Sequence, residues 1–296
     1  MTESSASKTA FVLAGGGSLG AVEVGMLEIL VGQGISADLV VGSSVGAINA
    51  AYFASRPDAE GVRSLGRIWR GLRRRDVFPF APFGSLLSFF SLRNYLVDPT
   101  PLRRLLERHL PYLDIASTAI PLHVVATDVL KGTEVVLSSG PAIEAVLASA
   151  AIPAVFPPVK LEGRYLADGG LANNTPISVA VALGADRVIV LPTGFSCDVA
   201  EPPGNSMAMA LHGLSLLIAR QLITDIELFG GSVALRVVPP LCPLETTPAD
   251  FSKAGELIHR AAESTREWLE AGGLDTPAIP DHMRPHSHRR SPEARV

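Results

Sequence analysis

The chain has 296 residues, 47% of them hydrophobic, and a formal charge of −4, with an isoelectric point near 6.0. That length and apolar fraction support a sizeable core and exclude a disordered chain. The acidic balance gives no global basic field, which argues against nucleic acid as a partner.

Cys197 and Cys242 stand without C-x-x-C spacing or a histidine cluster, so neither a disulfide framework nor a zinc site is expected, and both are read as buried free thiols. Met1 to Thr9 is polar and lacks the apolar stretch of a secretory signal, so a cytoplasmic protein is expected.

Ala10 to Ala14 is a short apolar run ending in Gly15-Gly16-Gly17-Ser18-Leu19-Gly20, after which Leu19, Val22, Met26, Leu27 and Leu30 recur at helical spacing. This is a strand, a glycine loop and a helix. Gly15, Gly17 and Gly20 satisfy G-x-G-x-x-G, and a nucleotide-binding oxidoreductase with Asp38 on the ribose is one alternative. Asp38, however, precedes the next apolar run, whereas a ribose-binding acid belongs at the end of a strand. The bare amides of Gly15, Gly16 and Gly17 suit an oxyanion hole better.

Asp38-Leu39-Val40-Val41 leads into Gly42-Ser43-Ser44-Val45-Gly46 and an Ala-rich helical run. G-x-S-x-G between strand and helix describes a nucleophile elbow, with Ser44 pushed out on a tight turn at a helix N-terminus. The plainer alternative is an ordinary glycine-rich loop.

Ala50 to Arg75 reads as helical, with a basic second half. The stretch that follows concentrates Phe78, Phe80, Phe83, Phe89 and Phe90 among prolines and glycine. It is expected to form a lid or wall of an acyl site, residues 78–97, against the alternative that these rings are core. Pro99 to His109 reads as a helix, and Leu122 to Thr127 and Glu134 to Leu137 read as strands.

Pro141 to Ala151 is a short helix stopped by Pro153, and Arg164 to Ala167 leads to Asp168-Gly169-Gly170, a carboxylate at a strand end. A D-G turn is the bland alternative. A helix through Leu183 is followed by Arg187 to Leu191, which has the composition of a buried parallel strand. Met207 to Leu228 is expected to be a core helix, too polar to span a bilayer. Val233 to Val238 reads as one more strand, Ser252 to Ala271 is an amphipathic helix, and 276–296 is expected to be a disordered tail. Residues 8–275 are read as one domain.

Together, Gly15 to Gly20, Gly42 to Gly46, Ala148 to Val159 and Asp168 to Gly170 resemble, in order and spacing, the patatin-like phospholipase family. The resemblance implies an α/β fold, a three-layer α/β/α sandwich with a mostly parallel sheet. It also implies hydrolysis of fatty acyl esters by a serine–aspartate dyad, with Ser44 as nucleophile, Asp168 as base and the Gly15–Gly17 amides as oxyanion hole. One departure is Leu19, where many members carry Arg or Lys.

The residues themselves agree with a dyad, because the histidines after the acid, His212 and His259, fall inside helical patterns. No cofactor and no metal are called for. The expected partner is a lipid ester, with peripheral contact to a membrane or micelle. A non-catalytic lipid-binding protein on the same fold is the other alternative.

Overall fold

The run Thr9–Leu13 forms β1, buried along its whole length. Phe11 and Leu13 point into one apolar cluster and Ala10 and Val12 into another. Successive side chains alternate across a strand, so one strand with two apolar faces requires cover on both sides.

The structure is a computed structural model describing residues 7–79, 95–194, 204, 206–242, 244 and 246–275. The expected tail, 276–296, lies outside the described residues, as do Phe80, Phe83, Phe89 and Phe90.

The elements follow in order as α1 (Gly20–Gly32), β2 (Leu39–Ser43), α2 (Val45–Ser55), α3 (Ala59–Gly71), α4 (Arg74–Val77) and α5 (Thr100–His109). Next come β3 (Leu122–Asp128), β4 (Thr133–Leu137), α6 (Ala142–Ser149), β5 (Val159–Leu161), β6 (Arg164–Asp168) and α7 (Ile177–Ala182). The last are β7 (Arg187–Leu191), α8 (Ser206–Phe229), β8 (Ala234–Val237) and α9 (Ala254–Glu270).

The eight-stranded sheet runs β5-β6-β3-β2-β1-β7-β8, with β4 also paired to β3. From β3 through β8 the path is parallel, while β4, β5 and β6 add antiparallel pairings. One face is covered by α1, α2, α3, α5, α6 and α9, the other by α7 and α8. This is the expected α/β/α sandwich.

Three expectations need correction. The helix read over Ala50 to Arg75 breaks at Arg56-Pro57-Asp58: proline has no N–H to continue the ladder, and Asp58 caps α3 by accepting from Gly61 N–H at 2.7 Å. The core helix expected over Met207 to Leu228 lays only a stripe on the sheet. Ala219, Leu222 and Ile226 are buried, while Leu217 and Leu228 are each 67% exposed. Among the described residues no helix is long and apolar enough to cross a membrane. Cys242 is half-buried and disulfide-bonded, not a free thiol. Such a pairing depends on how near the fold brings two sulfurs, which sequence spacing does not reveal.

Behind the first glycine loop lies a buried polar network that the sequence did not announce. Glu23, on α1, is fully buried, and one of its carboxyl oxygens accepts from Asn49 Nδ2 at 2.7 Å. The same Asn49 nitrogen donates to the Gly20 carbonyl at 2.9 Å, and Asn49 Oδ1 accepts from Trp69 Nε1 at 2.8 Å. One amide thus joins α1, α2 and α3. Burial holds the Glu23 carboxyl well above the ordinary carboxylate range, against smaller opposing effects of Asn49 and the Ala14 backbone.

Because the folded pKa is raised, the stability this group supplies is complete below the unfolded value of 4.5 and is lost as pH rises through the folded one. Glu23→Gln keeps the shape and removes the titration. Its unfolding free energy relative to wild type is therefore expected to improve steadily as pH is raised above 4.5, measured by denaturant melts across the range. Glu23→Ala, which deprives Asn49 of its acceptor, is expected to cost about 1–3 kcal/mol.

Candidate active site

β2 ends at Ser43, and the next residue, Ser44, takes φ 54° and ψ −123° before α2 begins. A positive φ at a residue with a Cβ costs of order 1–3 kcal/mol and persists only where the surroundings enforce it. Here they do. A Cβ at Gly42 would come within 2.4 Å of the Gly46 carbonyl, and one at Gly46 within 2.3 Å of the Leu13 carbonyl. Both glycines of G-x-S-x-G are therefore required by close backbone contacts. Ser149, at the end of α6, fixes the turn from behind. Its hydroxyl accepts the Ser44 N–H at 2.9 Å and donates to the Val125 carbonyl at 2.5 Å.

Asp168 is brought to Ser44 by β3. In the parallel pairing Ser43 lies opposite Val125, and in the antiparallel pairing Asp168 lies opposite the next residue, Ala126. Two strands running in opposite directions thus finish side by side in register on one template. The Ser44 hydroxyl donates to Asp168 Oδ2 at 2.6 Å. The other carboxylate oxygen, Oδ1, accepts the Gly170 N–H at 2.8 Å, and the Asp168 N–H donates to the Ala151 carbonyl at 3.0 Å.

Asp168 is only 7% exposed. Burial raises its pKa to about 6, opposed by the hydrogen bonds from Ser44 and Gly170. Ser43, the neighbouring hydroxyl, is buried and has no hydrogen-bond partner among the described residues.

The three loop glycines differ. Gly15 N–H is committed to the Asn174 carbonyl at 3.1 Å, so its amide is not open to a ligand. Among the described residues no acceptor faces the N–H of Gly16 or Gly17. The loop is clamped around them: the Gly15 carbonyl accepts from Thr193 Oγ1 at 2.7 Å and from Asn174 Nδ2 at 3.3 Å. The next two N–H groups are used as well, Ser18's by the Pro248 carbonyl and Leu19's by the Gly16 carbonyl. A Cβ on Gly15 would lie 3.1 Å from the Ser44 Cβ. The loop and the elbow are in contact. Leu19 packs into the core, so its side chain makes no contact with an anion.

Ser44 and Gly17 open onto a narrow apolar slot of about 70 Å³, walled by residues such as Ile48, Trp69, Leu106, Phe156 and Phe251. Of the candidate lid phenylalanines, Phe78 is described. It is half-buried, lines this slot, and stacks on Phe156 with ring centroids 5.6 Å apart. Its place is a wall of the slot.

Other readings are settled by position. Asp38 lies at the amino end of β2, accepting from Thr9 N–H at 2.7 Å, whereas ligands of open α/β sheets bind at the carboxyl ends. It is not a ribose acid. His259 is exposed and lies 3.4 Å from Glu263 on its own helix. Ser149, Asn174 and Thr193 were missed by the sequence reading. Ser149 and Asn174 do lie inside or beside the blocks that carry the resemblance, and a polar residue flanked by buried alanines, as in Ala148-Ser149-Ala150, was the available signal.

The sequence profile of the Patatin-like phospholipase family matches residues 11–181. Patatin-like phospholipase domain-containing protein 7 of Rattus norvegicus is 29% identical over 191 residues, which cover 62% of this chain and 13% of the relative. An uncharacterized NTE family protein of Mycobacterium bovis is 30% identical over 198 residues, covering 64% of this chain and 49% of the relative. This chain thus spans less than half the length of both. The solved structure of VipD from Legionella pneumophila is similar over 90% of this chain and 67% of its own, at a TM-score of 0.44 and 16% identity. The profile match runs from β1 into α7, takes in both Ser44 and Asp168, and covers more than half of the sequence: the chain belongs to the patatin-like phospholipase family.

Proposed function

We propose that this protein hydrolyses fatty acyl esters of lipids through a Ser44–Asp168 dyad. The observation that carries the reading is the 2.6 Å hydrogen bond to a buried carboxylate from the hydroxyl of Ser44, which itself lines an apolar slot. Family membership supports the substrate class.

Asp168 accepts the Ser44 proton as Oγ attacks the ester carbonyl, and the Gly16 and Gly17 amides receive the developing oxyanion. Asp168 then returns the proton to the departing alcohol. Water, deprotonated by the same carboxylate, attacks the acyl-serine, and collapse of the second tetrahedral species restores the Ser44 hydroxyl. An ordinary aspartate, with a pKa of roughly 3.9, is a weak base for this task. A value of about 6 narrows the gap while leaving the group mostly ionised at neutral pH. The acyl chain occupies the slot, whose lining offers it almost no polar atom.

Ser44→Ala and Asp168→Asn are each expected to abolish hydrolysis of acyl esters while the fold persists, and a fluorophosphonate probe is expected to label Ser44. A label mapped to Ser43, or turnover retained in either variant, would refute the dyad. Wild-type kcat/KM should rise with pH through an apparent pKa of about 6, because only the carboxylate accepts the proton.

The same shift predicts a stability effect of opposite sense. Burying the carboxylate destabilises the wild type once pH exceeds the folded pKa, so inactive Asp168→Asn should melt at or above the wild-type temperature at alkaline pH. In the slot, Ile48→Trp should lower turnover of long-chain esters by about tenfold relative to a short ester. An unchanged chain-length profile would place the acyl chain elsewhere.

A further inference from the structure

Beside the slot, between α3, α4 and α5, lies a second cavity of about 410 Å³ with the opposite chemistry. Arg67, Arg75, Arg104 and Arg108 line it, with Asp76 as the one carboxylate among the described residues. That carboxylate is occupied, accepting the Arg73 N–H at 2.8 Å. Arg67 is paired with Glu60 at 3.0 Å. Among the described residues Arg75, Arg104 and Arg108 make no ion pair.

A cation in the last turn of a helix is ordinary, and Arg108 needs no further reason there. Arg104 lies a turn earlier, and Arg75 comes from a different element. Three guanidinium groups held around one concavity repel one another, and an anion between them removes the repulsion and gains charge-assisted hydrogen bonds. The concentration is local, because the chain as a whole is acidic, at −4.

The two cavities share a wall. Ile68, Leu72, Leu105 and His109 line both. A molecule lying across that wall meets apolar side chains on one side and guanidinium groups on the other, which are the two halves of an anionic amphiphile.

We propose that the arginine basin binds the phosphate of an anionic phospholipid headgroup and docks the protein on anionic membrane surfaces beside the acyl slot. The proposal rests on the reading of the slot as an acyl site and adds the charge of the lipid it faces. Guanidinium pairs bidentately with phosphate, and basic side chains near an anionic leaflet each strengthen binding.

The test is co-sedimentation of the full chain with vesicles of phosphatidylcholine alone and of phosphatidylcholine mixed with phosphatidylglycerol, at several salt concentrations. Wild type should prefer the mixed vesicles, the preference fading with salt. The triple variant Arg75→Gln, Arg104→Gln, Arg108→Gln should lose roughly a hundred-fold in affinity for them. The corresponding triple lysine variant, which keeps the charge but loses the bidentate fork, should bind more tightly than the glutamine variant and less tightly than wild type. It also guards against mistaking misfolding for loss of the site.

Equal binding of wild type to both vesicle types, or full binding by the glutamine variant, overturns the proposal. So does displacement of the vesicles by inorganic phosphate, but not by chloride of equal ionic strength, since that identifies a site for the free anion. Ser44→Ala should sediment as wild type does, so failure of the hydrolytic reading and failure of this site are read separately.

Discussion

The arrangement depends on one short contact, the hydrogen bond between Ser44 and Asp168, and on the strand that makes it unavoidable. β3 pairs with β2 in parallel and with β6 in antiparallel fashion, and consecutive β3 residues face Ser43 and Asp168. The sheet ladder sets the distance between the two functional ends, without any long flexible arm. Ser149 ties the elbow to β3, and the Ala151 carbonyl ties down Asp168. The end of α6 and the residues just after it therefore hold both Ser44 and Asp168. A site defined this way is rigid because its coordinates are backbone coordinates.

Two buried carboxyls on one side of the sheet show how environment divides labour between like groups. Glu23 and Asp168 are both pushed up by burial. Glu23 spends its contacts on Asn49 and, through it, on Trp69, so it acts as a tie between helices. Asp168 holds one oxygen on a backbone amide and turns the other to a hydroxyl at the mouth of the slot. The difference lies in what the second oxygen faces. Trp69 connects the two regions, since it lines the slot and stacks on Phe251 with centroids 6.2 Å apart. The slot wall and the packing behind the glycine loop are thus parts of one core.

The slot and the arginine basin place opposite chemistries on two sides of a thin wall formed by α3 and α5 residues. Apolar side chains at one face of each helix and arginines at the other follow from ordinary amphipathicity. The arrangement gains meaning from position, because the apolar side leads to Ser44.

Much of this was legible in the sequence. Runs such as Phe11-Val12-Leu13 and Val188-Ile189-Val190 announce strands covered on both faces, and Gly42 and Gly46 announce an elbow, since only glycine survives carbonyls within 2.4 Å of a Cβ position. Those are local facts, fixed by residue type and spacing, and they single out Ser44, whereas Asp168, locally no more than a D-G turn, was named by the resemblance of the ordered motifs. Local patterns did not reveal that Gly15 spends its amide on Asn174 while Gly16 and Gly17 do not, that Ser149 supports the turn, or that Cys242 is disulfide-bonded. Nor did they bring Arg75 and Arg104 to one basin. Each of these joins residues distant in the chain, and hydrogen bonds and charge contacts are decided by ångström distances that exist only once strands are registered and helices packed. The sequence by itself determined most of the elements, the elbow and the family, which follow from residue type and spacing; the tertiary structure alone decided which groups meet Ser44 and Asp168, which amides stay open and where the charges gather, because these rest on distances between remote segments.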